Sequence, residues 1–336
     1  MAFRGRRPCT LADRRLSGAH DPLMIARAWF SSRAQQALGA WVIALAWAVP
    51  VLAEPPPQRL AIDGAVIQLT LEGDFADATA ARVRTWVERS AHIVSAYYGR
   101  FPVPELALLV SSTDGARVGG GMTFGEPKAL IRVRVGRDVS DATLLDDWVL
   151  VHEMTHLALP DVGREHAWLS EGLATYVEGV ARAQAGNRAV TDVWAEDVRS
   201  MPRGLPQDGD AGLDHTHTWG RTYWGGALFC LLADIDIRRR TGNRLGLQDA
   251  LRAILRASGG LRAEWPVERI FATGDAAVGT PVLSNLYART KDRPETTDLP
   301  ALWRDLGIEP VGDTVRLRGD APLAPIREAI VQPRTQ

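Results

Sequence analysis

Apolar residues in the first half of the chain mostly follow the two-residue repeat of strands. Residues 66–71 alternate, residues 106–110 form a short apolar run, and residues 129–135 read ALIRVRV. A glycine-rich approach to another strand lies at 119–124. The interval before the second strand predicts a helix ended by Gly99, with these residues on one face: Val83, Trp86, Val87, Ala91, Val94 and Tyr97.

The second half of the chain is predicted to be mainly helical. Ser140 and Asp141 are typical of a helix start, and this helix is expected to run to about residue 158, before Leu159 and Pro160 stop it. Further helices are predicted at 170–183, 223–240 and 247–257. We therefore expect an α+β fold in which an N-terminal mixed sheet lobe (54–139) and a mainly helical lobe (140–336) together form one domain.

Residues 37–53 carry no charge and follow Arg27 and Arg33, which is the order of a secretory signal. Residues 1–53 are therefore predicted to be a leader, cleaved after Ala53, with Met24 as a candidate for the true start because a signal of ordinary length begins there. The protein is expected to be periplasmic or secreted, with no stable membrane span after processing. The alternative is an uncleaved membrane anchor, for which a 17-residue run containing Pro50 is short.

Charge argues against a nucleic-acid partner. The net charge is −1, and the leader holds seven Arg against two Asp, so the remainder carries −6 (−1 minus +5). Nucleic-acid phosphates call for a basic face, which a mildly acidic body does not offer. Of the two cysteines, Cys9 belongs to the leader and Cys230 lies in an apolar stretch, where it is expected to be a small buried residue.

The segment HEMTH at 152–156 carries the candidate chemistry. Two histidines four residues apart project from the same face of a helix, so His152 and His156 can bind one zinc ion together. Glu153 lies about 100° further around the helix, from where it can reach a water on the metal. It is therefore the candidate general base.

A catalytic zinc site needs three protein ligands, and two His with one Glu is a standard set. Glu171, at the predicted start of the next helix, is the candidate third ligand, and Thr175 and Glu178 on its face are expected to orient the imidazoles. The loop offers other acceptable ligand types: Asp161, Glu165 and His166. The longer metzincin motif is excluded, because its Gly and His positions hold Leu159 and Val162.

The motif HEMTH followed by WLSEGLATYVEG resembles the gluzincin zinc metallopeptidases, which have a thermolysin-like catalytic domain. The stretch TYWGGALFCLLADIDIRRRTGNRLGLQDALRAIL is similar to one in the glycyl aminopeptidase family, and the resemblance covers roughly residues 115–257. It implies Glu171 as a zinc ligand and Tyr223 as the hydroxyl that stabilises the oxyanion; Tyr223 could instead be a core residue. Gly225 stands where the family has Lys, and His215 or His217 could supply a second donor.

The resemblance also implies a substrate platform and a function. Gly120, Gly121 and Met122 match the strand that aligns the substrate backbone, and Thr123 replaces a Glu that binds a free amino terminus. We expect one Zn²⁺ per chain and a peptide or protein substrate. The enzyme is expected to cleave inside peptides or to act as a relaxed aminopeptidase, unless Glu126 takes the place of the missing Glu carboxylate. The alternative is a non-catalytic zinc- or peptide-binding protein that keeps the fold. The sequence does not indicate an oligomeric state.

Overall fold

The computed structural model describes residues 57–333, which form one mixed sheet followed by a set of helices. The strands of the sheet are β1 (Gln58–Ile62), β2 (Ala65–Glu72), β3 (Glu105–Thr113), β4 (Val118–Phe124) and β5 (Leu130–Gly136), in the order β1-β2-β3-β5-β4. Strands β2, β3 and β5 run parallel, while β1 and β4 pair antiparallel to their neighbours. Because β4 is an edge strand, its outer side pairs with no other strand of the described chain.

Helix α1 (Asp77–Tyr98) connects β2 to β3 and ends at Gly99, whose left-handed backbone (φ 81°) ends the helix. The six apolar residues predicted for its inner face are all buried, as are the alternate residues of β5 from Ile131 to Val135. Arg132 and Arg134 lie on the exposed face of β5, as predicted. The predicted strands and this helix are therefore confirmed, although β1 was not predicted.

The predicted helix from Ser140 to about residue 158 is in fact two helices. Helix α2 (Asp141–Asp146) begins at Ser140, whose Oγ accepts a hydrogen bond from the Thr143 N–H at 3.1 Å, and α3 (Val149–His156) follows. The break lies at Asp147, which has an extended backbone and accepts hydrogen bonds from the Leu150 N–H at 3.2 Å and the Trp86 ring at 3.1 Å. The prediction of one helix was wrong because this carboxylate starts a new helix.

The remaining elements are mainly helical. They are α4 (Ala167–Gln184), α5 (Val190–Ser200), α6 (Gly226–Thr241), α7 (Leu247–Ser258), α8 (Val267–Val278), α9 (Val282–Thr290), α10 (Leu299–Leu306), the hairpin of β6 (Ile308–Val311) and β7 (Thr314–Leu317), and α11 (Ala324–Val331). A mixed sheet at the N-terminal side and helices behind it confirm the predicted α+β class. The apolar core is continuous from Leu60 in β1 to Val331 in α11.

Cys230 is buried in α6, as predicted. No helix within 57–333 has the length and apolar character that a membrane crossing requires. The predicted leader, its cleavage after Ala53 and the start at Met24 lie outside the described residues.

Candidate metal centre

Helix α3 presents His152 and His156 on one face, one turn apart. Their rings lie 4.9 Å apart between centroids and meet edge to face. Both side chains are largely buried, since 6% of His152 and 12% of His156 is exposed. The four-residue spacing in the sequence therefore gives the expected pair of imidazoles, with little room for movement.

Glu171 approaches this pair from α4. Its Oε2 lies 3.2 Å from the Nε2 of His152 and 3.5 Å from the Nε2 of His156. A tetrahedral zinc ion with bonds of about 2.0 to 2.2 Å holds neighbouring ligand atoms about 3.3 to 3.6 Å apart. These three residues are the group within 57–333 that could hold a metal ion, with ligand atoms all within 4.8 Å of one another. Their chemistry and spacing fit zinc.

The charge of Glu171 dominates the electrostatics of the cluster. Burial alone would raise the pKa of Glu171, but its hydrogen bonds to His152 and His156 hold the pKa well below its usual range. Burial alone would lower the pKa of His156, but the hydrogen bond and the charge of Glu171 outweigh it, so the pKa of His156 is raised. The Glu171 side chain is therefore ionised in this cluster, and the ionised carboxylate is the form that binds a metal.

The residues that orient the cluster differ from those predicted. The Nδ1 of His156 lies 3.0 Å from the Ser170 hydroxyl, a contact that fixes the ring and leaves Nε2 facing Glu171. Glu178 instead accepts a hydrogen bond from Arg182 at 2.7 Å, and the Thr175 hydroxyl donates to the backbone carbonyl of Glu171 at 2.8 Å. Glu178 is not the predicted imidazole partner because its carboxylate pairs with Arg182, four residues further along α4.

Glu153 is buried between α3 and the edge strand β4, with 8% of its surface exposed. The Thr123 hydroxyl lies 2.6 Å from the Oε2 of Glu153, as donor, and 2.9 Å from its backbone carbonyl. Gly121, two residues earlier on β4, has no side chain to separate the strand from this carboxylate; a Cβ there would lie 2.5 Å from the Cγ of Glu153. The candidate base is thus held against one strand.

Tyr223 lies beside the candidate ligands in a π-helical turn, Arg221–Gly225, that leads into α6. Its ring stacks on His152 with centroids 6.3 Å apart and on Trp219 at 5.6 Å. Burial, followed by the charge of Glu171 and a hydrogen bond to it, raises the pKa of Tyr223 well above its usual value. The hydroxyl therefore keeps its proton and can donate it in a hydrogen bond. Local π-turns are common at functional sites.

The other third ligands that the sequence allowed lie outside the cluster. Asp161 accepts a hydrogen bond from the Gly163 N–H at 2.9 Å. His166 lies between Glu165 (Nε2 to Oε1, 3.5 Å) and Asp214 (Nδ1 to Oδ1, 3.0 Å). Asp214 also accepts from Trp168 at 2.8 Å, so this group fastens the start of α4.

The predicted extra donors lie on the surface. His215 is exposed and pairs with Asp292, its Nε2 3.0 Å from a carboxylate oxygen, and His217 is also exposed. Glu126 is 72% exposed and pairs with Arg262 at 3.6 Å. Glu126 therefore lies at the surface, beside a cation.

The predicted substrate platform is the edge strand itself. Gly120 and Met122 are exposed on β4, and Gly121 is partly buried against Glu153. Antiparallel pairing with β5 uses one side of β4 and leaves the other available for an extended chain. The structure thus places Gly120, Gly121 and Met122 on the strand that contacts the candidate base.

Solved structures show what this fold resembles. A crystal structure of an aminopeptidase N family protein from Idiomarina loihiensis matches with a TM-score of 0.54 and 14% identity, over 75% of this chain and 49% of that one. The fold is similar to that of aminopeptidase N family proteins. A variant M1 zinc metallopeptidase from Deinococcus radiodurans matches with a TM-score of 0.46 and 14% identity, over 72% of this chain and 52% of that one.

The chain spans about half the length of these solved structures. No protein-family model matches the sequence, and no curated protein matches it. At this level of identity the similarity concerns the fold alone. The narrower resemblance to the glycyl aminopeptidase family and the thermolysin-like classification stay predictions.

Proposed function

We propose that this protein is a zinc-dependent peptidase that acts in the cell envelope or outside the cell. The observation that carries the proposal is the meeting of His152, His156 and Glu171 beside the buried carboxylate of Glu153. A purely structural zinc site has four protein ligands and no use for a base. The location follows from the predicted leader alone.

His152, His156 and Glu171 would hold one zinc ion per chain, because their ligand types and separations suit it. When bound, zinc supplies Lewis-acid chemistry, polarising the peptide carbonyl and lowering the pKa of water to about 7. The fold similarity to an aminopeptidase N family protein is in keeping with a peptidase, and the choice of metal rests on the ligand set itself.

Glu153 and Tyr223 have distinct roles in the proposed reaction. Glu153 accepts a proton from the attacking water and passes it to the leaving amine, a task that needs a carboxylate within hydrogen-bond reach. The protonated Tyr223 hydroxyl donates to the oxygen on which negative charge develops. Both side chains come from helical segments packed around the same three ligands, which keeps them in place before substrate binds.

The alternative is a protein that keeps the fold and binds zinc or peptides without turnover. Burial of a charge is costly, so a carboxylate that serves no function is not expected at a largely buried position beside the ligands. The contact of Glu153 with Thr123 offsets part of that cost. The position of Glu153 thus favours the enzyme.

Cleavage inside peptides, or a relaxed aminopeptidase activity, fits the edge strand better than a strict requirement for a free amino terminus. Strand β4 reads VGGGMTF and carries no acidic residue. Its Thr123 donates to Glu153, and Glu126 beyond the strand pairs with Arg262. Because the carboxylates of Glu153 and Glu171 serve as base and metal ligand in this proposal, a substrate ammonium buried against β4 would lack an anion from the strand to pair with, which is costly.

We expect matched peptides with free and acetylated amino termini to be cleaved with kcat/KM values within about tenfold, because an unpaired ammonium contributes little binding. Steady-state kinetics on the two series tests this expectation. A preference of about a hundredfold or more for the free amine, equivalent to about 2.7 kcal/mol, would return the protein to the strict aminopeptidases. Cleavage of neither series at any concentration would count against the peptidase itself.

A further inference from the structure

We propose that Thr123 is a positioning residue which, together with Gly121, fixes the orientation of the Glu153 carboxylate. This inference rests on the proposed peptidase function, in which Glu153 is the general base. The two residues act from one edge strand, β4, that packs against helix α3. Thr123 supplies a hydroxyl to Glu153, and Gly121 supplies space for it.

The register of the sheet places both residues on the side of Glu153. Thr123 pairs with Ile131 and Gly121 pairs with Val133, and these two partners are buried on the inner face of β5. Met122, between them, pairs with the exposed Arg132 on the outer face. Residues two apart on a strand share a face, so Gly121 and Thr123 both meet α3.

The Thr123 hydroxyl has two acceptors on Glu153, and a single proton serves one of them at a time. The carboxylate oxygen lies at 2.6 Å and the backbone carbonyl at 2.9 Å. A charged acceptor forms the stronger hydrogen bond. The competing acceptor is the backbone carbonyl of Glu153, near the end of α3. It is open to Thr123 because the Leu157 N–H donates to the Met154 carbonyl instead.

Gly121 completes the arrangement. An added Cβ would lie 2.5 Å from the Cγ of Glu153 and 2.8 Å from its Cδ and Oε1, closer than carbon atoms approach without displacement. The mobile side is the Glu153 side chain, because the strand is held by its pairing with β5. Glycine at 121 therefore leaves Glu153 where Thr123 can hold it.

The test compares T123V, T123S and G121A in the zinc-loaded full chain, with kcat, KM, zinc content and Tm measured for each. We expect T123V to lower kcat about tenfold to a hundredfold, as for loss of a hydrogen bond to a charged group, with KM changed less than about threefold. T123S should recover most of that loss. Matched controls are T314V on the exposed face of β7 and G319A, where a Cβ meets open space; both should keep wild-type kcat.

A double-mutant cycle separates the two contacts of Thr123, which are the hydrogen bond that orients the Glu153 carboxylate and the hydrogen bond to the Glu153 backbone carbonyl. In an E153Q background, T123V should change the residual kcat by less than about twofold, because the group it orients is gone. An equal loss in both backgrounds, a T123V enzyme with the kcat of T314V, or no recovery by T123S would overturn the inference. If T123V does not fold, G121A against G319A decides, and equal kcat values would overturn it as well.

The same set of enzymes shows which proposal has failed. If wild type hydrolyses peptides and E153Q does not, while T123V and G121A match their controls, the positioning role is wrong and the peptidase stands. If wild type and E153Q turn over peptides equally, the proposed mechanism is wrong and this inference falls with it.

Discussion

Replacing Glu153 with Gln is expected to lower kcat by about a hundredfold to ten-thousandfold, the usual range for removing a general base. The amide has nearly the shape of the carboxylate but cannot accept a proton from water. Because Glu153 is not one of the three clustered ligands, zinc content should stay at one per chain. Steady-state kinetics and elemental analysis on the same preparation measure both quantities.

The matched control for this substitution is Glu268→Gln, the same chemical change in the first turn of α8 at an exposed position. It should leave kcat and zinc content at wild-type values. Comparable rates for wild type and Glu153→Gln would contradict the assigned base, whatever the zinc content.

Replacing Glu171 with Ala is expected to weaken zinc binding by more than about a hundredfold, because even residues that only orient ligands cost about tenfold to a hundredfold. The variant removes a ligand whose carboxylate lies within 3.5 Å of both imidazoles. Zinc affinity measured by competition with a chelator, and residual peptidase activity, should fall together.

Glu165→Ala and His166→Ala are the comparisons for the third ligand. The structure places both residues in the group around Asp214, so these variants should retain zinc. If Glu171→Ala keeps full zinc occupancy while either of the others loses it, the third ligand has been misassigned.

Much of the scaffold follows from local sequence patterns. The inner face of α1 shows in its apolar spacing, and the pairing of His152 with His156 follows from a four-residue interval on one helix. Glu171 was harder to place, because its contact with α3 depends on how a fourteen-residue connection folds. Its place at a predicted helix start made it a candidate, the resemblance to the gluzincin metallopeptidases implied the same role, and the structure has the three side chains together.

Features that depend on tertiary contacts escaped prediction. The break at Asp147 requires Trp86 of α1 as a partner, 61 residues away. The contact of Thr123 with Glu153 depends on the register between β4 and β5, which glycine-rich strands specify weakly. Ser170 gives no pattern of its own in the sequence, yet its hydroxyl holds His156.

The π-helical turn that carries Tyr223 is another such feature. Its sequence, RTYWG, predicts an ordinary helix start, and the resemblance to a peptidase family implied that the Tyr223 hydroxyl stabilises the oxyanion. What the structure adds is the stacking of its ring on His152 and the raised pKa of its hydroxyl. These observations support an oxyanion role over that of a core tyrosine, since the side chain lies at the cluster.

Hydrolysis of a mixed peptide library by the purified protein, with and without a zinc chelator, is the direct test of zinc-dependent peptidase activity. Cleavage products identified by mass spectrometry should appear with the zinc-loaded protein, disappear after chelation, and return when one equivalent of zinc per chain is added. Undiminished cleavage by the metal-free protein, or intact peptides throughout with the zinc-loaded protein, would contradict the account.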